Sequence, residues 1–88
     1  MASNNSAIIF KGRSLDDLER LDKVLLSRIV KKIKWFASQP NPLKFAANIT
    51  NPRIGQYRFR IGDYRIIFDY QDKTIIILRI GHRNNIYK

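Results

Sequence analysis

The feature that most limits the fold is a change in the spacing of apolar residues along the chain. Over residues 15–37 they recur every three or four positions, which is the period of a helix that buries one face. From Tyr57 onward they alternate with polar residues, which is the period of a half-buried strand. Pro40 and Pro42 separate the two regions, since proline cannot continue a helix. Helices followed by a run of strands predict an α+β domain.

Shorter signals predict the elements of the first half. An apolar run indicates an N-terminal strand at about 7–11. Ser14 is expected to cap a first helix, with Asp17 as a variant of the capping box. Asp22 is a candidate cap for a second, longer helix that ends near Ser38. The two helices are expected to form a helical hairpin on one side of a sheet, and the stretch that follows them is expected to be a loop.

Three strands are expected in the second half of the chain, at 57–61, 64–70 and 74–80. Gly62 and Asp63, between the first two, suit a type II′ turn, because the first position of that turn favours glycine. The three strands form an antiparallel meander, and the N-terminal strand joins the same twisted sheet. The predicted order is therefore β-α-α-β-β-β.

Composition narrows the possible functions. The 88 residues predict a single domain spanning 1–88, in which the polar segment 1–6 is expected to be flexible. The absence of Cys and the single His exclude a disulfide framework, a thiolate zinc site and a two-histidine metal centre. No apolar run is long enough to span a membrane. We expect no metal and no cofactor, and a cytoplasmic location, which the lack of Cys fits.

The positive charge is large and unevenly distributed. Seventeen Lys and Arg against seven Asp and Glu give a formal net charge of +10. No carboxylate occurs between Asp22 and Asp63, and nine cations lie in that stretch: Lys23, Arg28, Lys31, Lys32, Lys34, Lys44, Arg53, Arg58 and Arg60. A surface that only serves solubility usually mixes both signs, so this pattern predicts a face that binds a polyanion. For the second helix alone, an ordinary solvated face is the simpler explanation.

The expected register of the first hairpin collects arginines on one face of the sheet. With the turn at Gly62 and Asp63, Arg60 lies opposite Arg65, and Arg58 shares their face. Like charges directly opposite one another destabilise a sheet, so selection for folding alone would avoid this pair.

The loop before the last strand decides where Arg79 points. A two-residue loop would turn Arg79 toward the core, which is an unfavourable place for a charge. We therefore expect a three-residue loop at 71–73, with Arg79 opposite Arg65 on the same face. The same register would place Ile76, Leu78 and Ile80 in the core. His82 and Arg83 follow at the edge of the arginine face.

Such a cluster suits the chemistry of RNA cleavage. Arginines bind phosphates and stabilise a phosphoryl group during transfer. They are poor bases, because their pKa exceeds about 12. His82 is the one side chain with an unperturbed pKa near neutrality, and Tyr87 is a second candidate for proton transfer or base stacking. The simpler alternatives are a strand-end hydrogen bond for His82 and packing of the C-terminal tail for Tyr87.

Two motifs resemble the RelE branch of the RelE/ParE toxin superfamily. One is GDYR at 62–65, within the hairpin 57–68, and the other is GHR at 81–83, followed by Ile86 and Tyr87. With the order of elements, the resemblance covers nearly the whole chain. It implies a RelE-like fold and a toxin of a type II toxin–antitoxin system. RelE-like members are endoribonucleases that cut mRNA in the ribosomal A site without a metal, through attack of the 2′-OH.

The resemblance also implies roles for individual residues. Arg65 and Arg83 match basic residues that stabilise or protonate the scissile phosphate, and Tyr87 matches a tyrosine that orients the nucleotide. Arg58 and Arg60 match basic positions, one of which supplies a lysine base in the best-known member. Both are arginine here, so the base is assigned to His82. The expected catalytic set is Arg58, Arg60, Arg65, His82, Arg83 and Tyr87, and the expected RNA-binding set is Lys31, Lys34, Lys44, Arg53 and Arg79.

Partners follow from the same resemblance. They are a cognate acidic antitoxin, the ribosome and mRNA, with a monomeric toxin that forms larger assemblies through the antitoxin. Three alternatives stay open: a ParE-like toxin that poisons gyrase without chemistry of its own, an inactive relic that only binds an antitoxin, and a general nucleic-acid-binding module. The GHR motif with Tyr87 favours the RelE branch, since the gyrase branch tends to lack that combination.

Overall fold

The computed structural model describes residues 5–87, and its elements follow the predicted order. Strand β1 (Ala7–Phe10) leads into helices α1 (Ser14–Glu19) and α2 (Lys23–Ala37). A 3₁₀ turn (Pro42–Phe45) and a short strand β2 (Ala47–Asn48) lie where a loop was expected. The hairpin strands are β3 (Tyr57–Ile61), β4 (Tyr64–Gln71) and β5 (Thr74–His82). The α+β class is confirmed, with β2 as an addition.

The N-terminal segment expected to be flexible lies mostly outside the described residues. Its last residue, Ser6, is buried, its N–H donates to the Ala37 carbonyl at 2.7 Å, and its hydroxyl lies 3.2 Å from that of Tyr70. The chain is therefore tied to the fold from Ser6 onward.

One five-stranded sheet runs in the order β1-β5-β4-β3-β2. β1 pairs parallel with β5, and the other pairs are antiparallel. The predicted register of the first hairpin is confirmed, with Arg60 opposite Arg65 and Ile61 opposite Tyr64. Gly62 has a φ of 59°, as the first position of a type II′ turn requires.

The expectation of a three-residue loop before β5 is wrong. Gln71 pairs with Thr74, so the loop consists of Asp72 and Lys73 alone, with φ values of 51° and 55°. Such a turn matches the twist of the strands it joins. A bulge between Ile67 and Phe68 then takes up one extra residue of β5.

The bulge changes which residues of β5 face the core. Arg79 pairs with Ile67, and Gly81 rather than Arg79 pairs with Arg65. The side chains of β5 in the core are Ile75, Ile77 and Ile80, so the placement of Ile76 and Leu78 there was wrong. Arg79 still avoids the core, because the bulge restores the alternation that a two-residue loop alone would have reversed.

Helix α2 covers one face of the sheet. Asp22 caps it as predicted, since its Oδ1 accepts from the Leu25 N–H at 2.9 Å. Phe36 of α2 stacks on Phe59 of β3, which stacks on Phe68 of β4, with ring centroids 4.0 and 4.2 Å apart. Burial of each such side chain contributes about 1.5–3 kcal/mol. We call the covered side of the sheet the helix face.

The cap predicted for α1 is wrong. Ser14 is the first residue inside the helix and is buried, and its hydroxyl donates to the Lys11 carbonyl at 2.8 Å. Asp17 makes no capping box and has a different set of partners, described below. Neither α1 nor α2, within residues 5–87, is long and apolar enough to cross a membrane.

Candidate functional site

Arg65 lies on the side of the sheet opposite the helix face, directly after the first turn of the hairpin. Only 8% of it is exposed. Its Nη1 donates to the carbonyl oxygens of Gly62 and Tyr64 at 2.9 and 3.0 Å. Among residues 5–87 no carboxylate forms an ion pair with it. Because both acceptors are neutral, the guanidinium is held in place while its charge stays uncompensated, which is unfavourable without an anion.

Other arginines surround this guanidinium. Burial lowers the pKa of Arg65, and the charges of Arg60, Arg83 and Arg58 lower it further, while Tyr87 acts in the opposite direction. Arginine stays protonated at neutral pH even so, because its unperturbed pKa exceeds about 12. The structure therefore brings together all the expected catalytic residues except His82. We call the surface formed by Arg58, Arg60, Arg65, Arg83 and Tyr87 the arginine face.

The C-terminal tail contributes two members of the arginine face. The Arg83 N–H donates to the Asp63 carbonyl at 2.8 Å, which fixes the tail to the turn of the hairpin. The Arg83 and Asp63 side chains are exposed and 3.8 Å apart, a pair of small energetic value. Buried Ile86 then anchors the tail against Gly81, where a Cβ would lie 2.8 Å from Ile86 Cδ1. Tyr87 follows, 46% exposed.

The expectation that His82 lies at the edge of the arginine face is wrong. It pairs with Tyr64 across the strands, and the two rings meet edge to face with centroids 5.6 Å apart. Its Nδ1 accepts from the Asn84 N–H at 3.2 Å. Successive residues of a strand point to opposite faces. Gly81 pairs with Arg65, so the next residue, His82, points away from that arginine.

His82 instead lines a pocket of about 240 Å³ between α1 and the tail, with Arg20 and Asn85 among the other lining residues.

Arg79 is neutralised by a residue that the sequence reasoning had placed elsewhere. Its Nε lies 2.9 Å from Asp17 Oδ2, its Nη2 3.4 Å from Oδ1, and the Ile80 N–H donates to Oδ2 at 2.9 Å. The hydrogen bond to Asp17 raises the pKa of Arg79 against the opposing effect of burial. Asp17 thus occupies the edge of β5 beyond the end of β1. The sequence did contain a signal for the burial of Asp17, because Ser14, Asp17 and Leu18 are spaced to share one face of a helix. Ser14 is buried and Leu18 is partly buried.

Comparison with known proteins identifies the family. The family model described as ParE toxin of type II toxin-antitoxin system, parDE, matches residues 8–87. The chain belongs to the RelE/ParE superfamily. It is thus the toxin of a type II toxin–antitoxin system. No relative matches among curated protein sequences.

Solved structures support this toxin assignment. A chain of the RelBE2 toxin–antitoxin complex of Mycobacterium tuberculosis is 25% identical, with a TM-score of 0.78 over 92% of this toxin and 94% of that chain. A chain of the RelB–RelE antitoxin–toxin complex of Methanococcus jannaschii is 29% identical, with a TM-score of 0.67 over 91% of this toxin and 95% of that chain. A chain of the archaeal RelE–RelB complex of Pyrococcus horikoshii OT3 is 26% identical, with a TM-score of 0.66 over 92% of this toxin and 98% of that chain. All three are complexes with antitoxins.

The remaining expected RNA-binding residues of the toxin are exposed, and they are spread over several elements. Lys31 and Lys34 lie on α2, Lys44 on the 3₁₀ turn and Arg53 in the segment before β3. Lys31 also lines a groove between α2 and the end of β3, which sequence reasoning missed. The groove has a volume of about 440 Å³ and is lined by Arg28, Lys31, Lys32, Trp35, Arg60, Ile61 and Gly62.

Proposed function

We propose that this toxin is a ribosome-dependent endoribonuclease that cleaves mRNA in the A site without a metal. The observation that supports it is the uncompensated charge of buried Arg65 beside Arg60 and Arg83. Only Nη1 of Arg65 is used in hydrogen bonds to described residues. No buried side-chain nitrogen or oxygen in residues 5–87 lacks a partner, so the free Nε and Nη2 donors are open to solvent. A phosphate would accept from both.

The proposed cleavage uses this arrangement. The 2′-OH attacks the adjacent phosphorus in line, the bond from phosphorus to the 5′-oxygen breaks, and a 2′,3′-cyclic phosphate forms. Negative charge grows on the non-bridging oxygens during this step. Arg65 is fixed before the substrate arrives and stabilises that charge without rearrangement, with Arg60 and Arg83 beside it. Arg58 adds to the positive potential.

Tyr87 and His82 have different proposed roles. Tyr87 is exposed next to Arg65 and stacks on or hydrogen-bonds the nucleotide, which orients the attacking 2′-OH. His82 points to the helix face, and its backbone carbonyl accepts from Asn85 and Ile86, so it shapes the tail that carries Tyr87. The 2′-OH proton then passes to hydroxide from solvent rather than to the imidazole, and solvent water protonates the departing 5′-oxygen.

The proposed setting is the cytoplasm, with an acidic antitoxin as the controlling partner. The antitoxins in the related complexes support such a partner. Exposed Lys31, Lys34, Lys44 and Arg53 contact the phosphates of rRNA and mRNA, whereas Arg79, held by Asp17, is left out of this set. The toxin acts as a single domain and a monomer, and larger assemblies form through the antitoxin.

A mapping experiment tests the ribonuclease. Translating ribosomes are incubated with the toxin, and mRNA ends are located by primer extension. We expect cuts in the A site that slow about 100–1,000-fold in Arg65→Ala, the loss seen when one fixed donor to a developing oxyanion is removed. The control Arg13→Ala removes an exposed arginine directly before α1 and should cleave normally. Cleavage that is unchanged in Arg65→Ala would refute the proposed role of this residue.

The pH dependence separates the two assignments of the proton acceptor. With hydroxide as acceptor, the rate rises roughly tenfold per pH unit across neutrality, and His82→Gln cleaves within a few-fold of the parent. A side-chain base saturates whereas hydroxide does not, so with His82 as base the rate would level off toward alkaline pH and His82→Gln would remove that plateau.

A gyrase-directed function is the second candidate, because the matching family model is that of the ParE toxin. It predicts intact mRNA and a loss of supercoiling by purified gyrase when the toxin is added. An inactive relic would affect neither mRNA nor gyrase and would still bind its antitoxin. The two assays, run on one toxin preparation, therefore separate all three outcomes.

A further inference from the structure

A pocket of about 500 Å³ lies at the end of β3 and β4 that is remote from the first turn of the hairpin. The side chains that matter in its lining are those of Ile49, Pro52, Gln56 and Asp69. Phe68 and Tyr70 of β4 pack into the core on the helix face. Asp69 lies between them in the strand, so it points to the other side of the sheet, which carries the arginine face.

Backbone hydrogen bonds hold two side chains of this pocket in place. The Gln56 N–H donates to Asp69 Oδ1 at 2.9 Å, and the Tyr70 N–H donates to Gln56 Oε1 at 3.0 Å. These bonds tie the segment before β3 to β4, and they use one atom of each side chain. Asp69 Oδ2 and Gln56 Nε2 make no hydrogen bond to any residue in 5–87. One acceptor and one donor group are therefore oriented and free to bind a ligand.

The negative charge of Asp69 is not needed for this tie. An asparagine would accept the Gln56 N–H with the same geometry. Within the described part of the chain Asp69 forms no ion pair, although the protein has seventeen Lys and Arg against seven Asp and Glu. On a side of the sheet that attracts phosphates, a carboxylate repels the RNA backbone. It suits the N–H donors of RNA instead, and these belong to the bases.

The two free groups match the Watson–Crick edge of one base. Guanine presents the O6 acceptor, the N1–H donor and the N2 amino donor side by side. A carboxylate accepts from both donors, and the amide nitrogen of Gln56 donates to O6. Adenine and cytosine have an acceptor where guanine has N1–H, and uracil has a carbonyl oxygen where guanine has the N2 amino group. The carboxylate of Asp69 repels each of these acceptors.

We propose that this pocket binds a guanine base of the RNA strand whose phosphates lie on the arginine face. The inference rests on the proposed function, because it takes RNA as the ligand of that face. Asp69 and Gln56 read the edge of the base, and the apolar side chains of Ile49 and Pro52 cover it. Asp69 lies four positions from Arg65 along β4, which is about 13 Å. The guanine therefore belongs to a nucleotide beside the cleaved bond and selects the strands that are bound.

Short oligouridines with 2′-O-methyl ribose, which cannot be cleaved, test the pocket without the ribosome. The central nucleotide is guanosine, inosine, adenosine, cytidine or uridine, and fluorescence anisotropy of the end-labelled strand gives the Kd. We expect guanosine to bind about tenfold tighter than adenosine, cytidine or uridine. Inosine lacks only the N2 amino group and should bind about tenfold more weakly than guanosine. Kd values that agree within about twofold for all five strands would overturn the proposal.

Two isosteric variants locate the selection. Asp69→Asn keeps Oδ1 for the Gln56 N–H and places an amino group where the guanine donors need an acceptor. Gln56→Glu keeps Oε1 for the Tyr70 N–H and removes the donor to O6. Both variants therefore retain the bonds that tie the pocket to the fold. Each should reduce the preference for guanosine over uridine from about tenfold to about twofold or less.

Asp72→Asn is the matched control. It makes the same charge change as Asp69→Asn in the exposed turn between β4 and β5, where asparagine adopts the positive φ readily. The preference is a ratio of two Kd values, so it is insensitive to the tighter binding of every strand that a lost negative charge brings. Asp72→Asn should keep the parent's preference. Loss of the preference in Asp72→Asn, or its retention in Asp69→Asn, would overturn the proposal.

Free guanosine 5′-monophosphate separates two sources of the base. It carries the same guanine but no further phosphates for the arginine face, so it should compete at least about tenfold more weakly than the guanosine strand. Competition at equal concentration would overturn the assignment to an RNA strand and assign the pocket to free guanine nucleotides.

Base selection and cleavage are distinguishable in these assays. A guanosine preference in a toxin that leaves mRNA intact on ribosomes would support the pocket while the ribonuclease failed. Cleavage in the A site by a toxin that binds all five strands equally would do the reverse.

Discussion

The buried carboxylate of Asp17 allows the sharpest test of what holds β5 in place. Asp17→Asn keeps an oxygen that can accept from the Ile80 N–H but removes the charge opposite Arg79. Removing one partner of a buried ion pair typically destabilises by about 3–5 kcal/mol. The Arg79 side chain is 29% exposed, so water compensates part of the loss. We therefore expect a loss of about 2–3 kcal/mol, out of roughly 4–13 kcal/mol for a domain of this size.

Urea unfolding, followed by Trp35 fluorescence and far-UV circular dichroism, measures this loss. With a slope of about 1–3 kcal/mol per M, the midpoint should fall by about 0.7–3 M. Asp16→Asn, in the same turn but exposed, is the matched control and should stay within about 0.5 kcal/mol of the parent. Adding Arg79→Met to Asp17→Asn should recover part of the stability, because it removes the unpaired guanidinium. A stability of Asp17→Asn equal to that of Asp16→Asn would refute the reasoning.

Two backbone predictions follow from positive φ angles. Lys73→Gly should stabilise the toxin by about 0.5–1 kcal/mol, because Lys73 has a φ of 55° in the turn before β5, and a lower or unchanged thermal midpoint would contradict this. Gly55→Ala should destabilise it by about 2 kcal/mol, since a Cβ there would lie 2.6 Å from Ile67 Cγ2 at a φ of 155°. Urea unfolding checks the second change, and a loss below about 0.5 kcal/mol would show that Ile67 moves aside easily.

Local rules were enough to predict the first hairpin and the start of α2. The turn Gly62-Asp63 has glycine at the position where φ is positive. Asp22 caps α2 through a hydrogen bond from the N–H of Leu25, only three residues along the chain. The second hairpin lacked such a signal. Asp72 and Lys73 both adopt positive φ without glycine, and the bulge that follows depends on packing across the sheet.

Alternation explains which site residues could be predicted. Arg58, Arg60 and Arg65 share a face because one well-specified turn sets their register. The same alternation, continued from Ile80 in the core, places His82 on the helix face, so the sequence did contain that information. The partner of Arg79 was beyond local rules, because Asp17 lies 62 residues away and meets it only after α1 has packed against β5.

The contrast between Arg65 and Arg79 separates a binding charge from a structural one. Both are largely removed from solvent, and both have fixed guanidinium groups. Arg79 is held by a carboxylate, so its charge is neutralised and its pKa is raised. Arg65 is held by two carbonyls, so its position is fixed, its charge is retained and its pKa is lowered by burial and by neighbouring arginines. A carboxylate beside Arg65 would neutralise its charge, as Asp17 does for Arg79, and so favour stability alone. A phosphate can bind Arg65 only if that position stays free of a carboxylate.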